Sequence, residues 1–162
     1  MSRARKFINA EEMVHSMKLR QMGGDLTVIN SKLCYVKFNI NGIELKYEYN
    51  LNKHNKFFLE RIKPYPRPIK EYNTEDDVIE VIKIDIEQFN NVKSKEKLLE
   101  FIDISNYMNK IIAKYEDLFL YYDVGEQSLL DIKETVDDIG KQIEHTKSTC
   151  ERIFHKKDPE SL

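Results

Sequence analysis

An α+β fold is predicted: a small antiparallel three-stranded sheet with flanking helices, followed by a long antiparallel α-helical hairpin. Three observations predict it. Residues 32–51, KLCYVKFNINGIELKYEYNL, alternate apolar and polar side chains on either side of Asn41-Gly42. Residues 74–91, TEDDVIEVIKIDIEQFNN, carry a capped helical stripe, and residues 101–153 carry two heptad-spaced apolar seams separated by Asp123-Val124-Gly125. The chain of 162 residues is 41% hydrophobic and 33% charged, enough for one ordinary domain or a small domain with an appendage.

In chain order, the first helix is expected to begin near Asn9, which with Glu12 makes a capping box. Met13, Val14, Met17 and Met22 give it an apolar side, and Gly23-Gly24 end it, because glycine accepts the left-handed closing conformation. Asn41-Gly42 then predicts a type I′ hairpin, since both central residues of that turn need positive φ. The turn fixes the register: Ile40 faces Ile43, Phe38 faces Leu45, Val36 faces Tyr47 and Cys34 faces Tyr49, all on one buried side. Lys37, Asn39, Glu44, Lys46 and Glu48 take the wet side, with Leu33 and Tyr35 as exceptions. A third strand is expected at residues 56–62, paired antiparallel after the polar loop NKHNK. PYPRP, residues 64–68, reads as an extended connector into the next helix; a polyproline ligand is the alternative.

Thr74 caps the following helix, with Glu75, Asp76 and Asp77 at the positive end of its dipole and Val78, Ile79, Ile82, Ile86 and Phe89 as the stripe that covers the sheet. Ser94 is a further cap. Phe101, Ile104, Met108, Ile111, Tyr115, Leu118 and Tyr122, and then Leu129, Ile132, Val136, Ile139, Ile143, Thr146, Cys150 and Ile153, are each spaced with period 3.5. Two such helices joined by about three residues are expected to fold back antiparallel with their seams facing. Leu98, Leu99, Ile102, Ile112 and Phe119 form a second apolar flank on the first arm, expected to pack on the sheet or on a partner. The expected organisation is therefore an α-β-β-β-α domain over residues 1–92, a helical hairpin arm over 93–157 and a disordered tail over 158–162.

The chemistry-bearing residues do not converge. His15, His54, His145 and His155 include no histidine pair at helical i, i+4 spacing, and His145, Cys150 and His155, five residues apart, point around a helix rather than to one metal. Glu75, Asp76, Asp77 and Glu80 are explained by a helix start. GxSxG, CxxC, GxxxxGK[ST] and GxGxxG are absent. No cofactor or metal is implied. Cys34 and Cys150, far apart in the chain, fit a reducing, cytoplasmic setting. No run approaches a membrane span and the start carries no secretory signal. The abundance of Lys, Asn and Ile matches an AT-rich genome such as that of a low-GC bacterium or its phage.

The net charge of −2 exerts no global pull on nucleic acid. The order helix, three strands, helix over roughly residues 9–91 is similar to that of double-stranded-RNA-binding domains. Those domains place lysines where Glu75, Asp76 and Asp77 stand here, so the resemblance is one of element order and does not carry the function. The expected function is a non-enzymatic protein-interaction or regulatory protein that uses its helical arm for self-association, as a homo-oligomer, or for binding a protein partner; a phage- or mobile-element-encoded inhibitor of a host protein is one version. The alternatives are a nucleic-acid-associated protein using Arg3, Arg5, Lys6, Lys18 and Arg20 at its basic amino terminus, and an enzyme of an unrecognised kind.

Overall fold

The structure is a computed structural model that describes residues 13–14, 16–24 and 33–162. The expected capping box of Asn9 and Glu12 lies outside the described residues. Residues 16–21 are helical and close at the two glycines: Gly24 N–H donates to the Leu19 carbonyl and Gly23 N–H to that of Arg20, with Gly23 at φ +89°. This pair of bonds is the Schellman closure, and it needs glycine at the left-handed position.

A four-stranded antiparallel meander follows, in the order β1-β2-β3-β4. β1 (Leu33–Ile40) and β2 (Ile43–Leu51) pair in the register that Asn41-Gly42 dictates, from Ile40 opposite Ile43 to Cys34 opposite Tyr49. Asn41 and Gly42 have φ +53° and +82°, and the Asn39 side chain accepts a hydrogen bond from Gly42 N–H at 3.0 Å. The next turn is built by Asn52, whose side-chain oxygen accepts from His54 N–H and Lys56 N–H. β3 (Phe57–Lys63) returns along β2, as expected.

The expected three-stranded sheet is corrected to four strands. β4 (Arg67–Tyr72) lies inside and beyond the segment read as a connector. Pro68 argued against a strand because proline cannot donate to a ladder. At a sheet edge the missing N–H is no loss, and Pro68 sits opposite Glu60 beside a bulge that leaves Ile69 without a partner. The Lys63–Pro64 bond in the β3–β4 turn is cis.

Helix α1 (Glu75–Asn91) covers one face of the sheet. Thr74 and Asp77 form a reciprocal capping box, each side chain accepting from the other's backbone N–H at 3.1 Å. Val78, Ile82 and Phe89 are buried with Ile43, Leu45, Tyr47 and Leu59, and Ile86 packs against them. Ile79, expected on this stripe, is exposed instead. The opposite sheet face carries Glu44, Lys46 and Lys63, joined by ion pairs.

Helix α2 (Lys95–Tyr121) begins at a Ser94 cap. Its first turns bury Leu98 and Ile102 in the core, set Phe101 edge-on to Tyr65 at 5.5 Å, and hydrogen-bond Asn106 to the Pro64 carbonyl. With 27 residues it runs ~40 Å, so its distal half leaves the body. Helix α3 (Glu126–Thr149) buries none of its residues. The chain then rejoins the body, where Asn91 donates to the Ile153 carbonyl at 2.8 Å and Lys156 pairs with Glu87 at 2.8 Å.

Close packing of the two expected seams against each other is not shown. Both helices are present, but no Cα of α2 lies within 8 Å of a Cα of α3. The link between them is extended at Tyr122 (ψ 147°) and Gly125 (ψ 150°). In the tail, Glu160 pairs with Lys70 of β4 at 2.6 Å and Asp158 with Arg152 at 2.8 Å.

Candidate functional site

Two features stand apart from ordinary scaffold. The first is the arm. Ile104, Met108, Ile111 and Tyr115 along α2 keep 44–49% exposure, and Ile139 and Ile143 along α3 keep 44–45%. The arm's tip is more apolar still: Leu118, Phe119, Leu120, Tyr121 and Tyr122 are consecutive and all exposed. Five successive positions cover the whole circumference of a helix, so one flat seam cannot shelter them.

The flank expected to bind a partner divides in two. Leu98 and Ile102 are spent in the chain's own core, which removes them from any partner surface. Leu99, Ile112 and Phe119 are exposed and continuous with the seam. Of the basic residues expected to bind nucleic acid, Lys18 and Arg20 are exposed on the short amino-terminal helix, while Arg3, Arg5 and Lys6 lie outside the described residues.

The second feature is a buried guanidinium that sequence reading missed. Arg61, on β3, faces inward opposite Tyr47, and its side chain is 2% exposed. Its Nη1 donates to both carboxylate oxygens of Asp85 at 2.7 Å, and Tyr47 Oη donates to Asp85 Oδ2 at 2.7 Å. The guanidinium carbon lies 4.4 Å from the Tyr65 ring centre and 5.3 Å from that of Phe89. Burial and the neighbouring Asp85 carboxylate raise the Tyr47 phenol far above its ordinary range, so Tyr47 stays a donor. The Nε and Nη2 atoms of Arg61 are buried and have no hydrogen-bond partner among the described residues.

Two signals could have revealed this pair. Arg61 continues the inward alternation of Phe57 and Leu59, and Asp85 lies on the α1 stripe three residues after Ile82 and four before Phe89. A charge on each of two facing apolar stripes is the mark of a buried ion pair.

Arg61 lines two cavities of about 450 and 240 Å³, and Arg67, Asp85 and Gln88 line both. Arg67 is the cross-strand partner of Arg61. Tail residues from Lys157 to Ser161 form one wall of the larger cavity. Hydrogen bonds from Lys70 and Lys157 lower the Glu160 carboxyl to about 2. Elsewhere, Tyr49 donates to Glu75 at 2.6 Å, and contacts with Cys34 and Glu75 raise its phenol. Among the described residues no cluster of three His, Cys, Asp or Glu is placed to hold a metal, and no helix is long and apolar enough to cross a membrane. Comparison with protein-family models, curated proteins and solved structures found no significant match.

Proposed function

We propose that the protein is a non-enzymatic interaction protein that assembles with a second copy of itself through the α2–α3 arm, the sheet body serving as its base. One observation carries the reading: the α2 seam, Val136, Ile139 and Ile143 of the α3 seam, and the arm's tip are exposed in the single chain, while Leu129 and Ile132 are half-buried. About a dozen such side chains at half exposure, at ~150–250 Å² for a full aromatic, leave on the order of 1,000 Å² of apolar surface per chain, above the ~800 Å² each partner contributes to a stable complex. A second copy fits as occupant because it brings seams of the same 3.5-residue period, so α2 and α3 of two chains can close a four-helix bundle. In that assembly the helical-hairpin arrangement is completed between chains, and the residues that wrap the tip come from the partner.

Sedimentation of the full chain tests this. A dimer or higher species is expected, with Ile111→Asp and Ile139→Asp each returning it to the monomer while amide protection in β2 persists. A wild-type chain that stays strictly monomeric at its highest soluble concentration overturns self-assembly and leaves a different protein as the arm's occupant.

A further inference from the structure

We propose that the cavity between β3, β4, α1 and the carboxy-terminal tail binds a small oxyanion, a carboxylate- or phosphate-bearing molecule, held by Arg61 and Arg67. The argument begins with which Arg61 donors are used. Asp85 occupies Nη1 alone, while Nε and Nη2 are buried and, among the described residues, unpartnered. Those two nitrogens share the side edge of the guanidinium, from which two N–H bonds run nearly parallel at the spacing of two oxygens of a carboxylate or phosphate. A buried donor without a partner is costly, and a whole bidentate edge left unmade is rarer than a single stray atom.

The charge of the surroundings agrees. Arg67, directly across from Arg61, makes no ion pair among the described residues, although it lines both cavities. Lys157 at the wall of the larger cavity is already paired with Glu160 at 3.0 Å. The acidic groups near that wall already have partners, Asp158 with Arg152 and Glu160 with Lys70 and Lys157. Asp85 therefore answers one of two facing arginines, and an anion is the missing complement. The tail that walls the cavity is held by exposed ion pairs, which are weak, so an anion can enter by displacing it. This site is separate from the arm and does not depend on self-assembly.

The test follows the Arg61 Nε–H resonance by NMR during titration of the full chain with inorganic phosphate and, separately, with acetate, against sodium chloride at matched ionic strength. A saturable shift with phosphate, acetate or both is expected, and which of them gives it identifies the oxyanion class. Arg67→Ala, an exposed position outside the core, is expected to weaken that binding roughly tenfold or more while leaving the unliganded resonance in place. Shifts no larger than those in chloride with either anion overturn the site; undiminished affinity in Arg67→Ala overturns its two-arginine form.

Discussion

The sheet body and the helical arm are both amphipathic, and only one of them is closed. In the body, the period-2 face of β2 and β3 meets the stripe of α1, and Leu45, Tyr47, Leu59 and Val78 have no exposed surface. In the arm, two stripes of comparable regularity stay largely open: Met108, Ile111 and Ile139 remain near half exposure, and no Cα of α2 comes within 8 Å of a Cα of α3. Periodicity thus identifies a face without identifying its cover. The body's cover is delivered by short connections, a two-residue turn and then α1 closely following β4. In the arm no Cα of one helix comes within 8 Å of the other, and the seams keep much of their surface exposed.

The sharpest way to break the comparison is to attack the body where closure is costliest. Asp85→Ala leaves the Arg61 guanidinium buried without its counter-charge and removes the acceptor of Tyr47. It is expected to cost about 3–5 kcal/mol in urea unfolding, whereas replacing Arg61 and Asp85 together with Met and Leu costs far less. A single variant as stable as wild type would mean that the guanidinium is hydrated, and the contrast between a closed body and an open arm would weaken.

Much of the body was legible from local chemistry. Asn41-Gly42 sets the hairpin register because its positive φ values admit one pairing, and Thr74 and Ser94 set helix starts because their side chains satisfy orphan N–H groups. What escaped was set by distance or context. Pro68 hid β4, since a rule sound for central strands fails at an edge. Arg61 and Asp85 lie 24 residues apart in sequence, so no local pattern pairs them. Ile79 escaped for a different reason: an apolar residue at a fitting phase announces burial, but only the neighbouring element decides it.

A milder perturbation sharpens the claim that local code closes the body. Gly42 has φ +82°, and a Cβ placed there meets only the flexible Lys95 Nζ, at 3.4 Å. Backbone strain, not crowding, therefore sets the cost of Gly42→Val. A destabilisation of about 1–2 kcal/mol is expected, measured by thermal or urea unfolding with the wild type alongside. No change would show that the two-residue turn is not what holds β1 in register.

The gentlest test concerns the seam between body and tail. Hydrogen bonds from Lys70 and Lys157 hold the Glu160 carboxyl down at about 2 when the tail is docked. In the undocked tail the group returns to its ordinary value of 4.5, so the undocked form takes up the proton first as pH falls. The docking contribution of Glu160 is thus fully present above pH 4.5 and is lost as the solution is acidified toward pH 2. All three side chains are solvent-exposed, so the effect is small and weakens further with salt. Amide exchange in residues 157–161 is expected to accelerate across that interval, with β2 amides unaffected until global acid unfolding begins. Glu160→Gln is expected to show the faster tail exchange already at neutral pH and to flatten the profile. If the glutamine variant matches wild type at every pH, the tail is held by Asn91 and Lys156 further back, and the larger cavity's wall does not rest on this carboxylate.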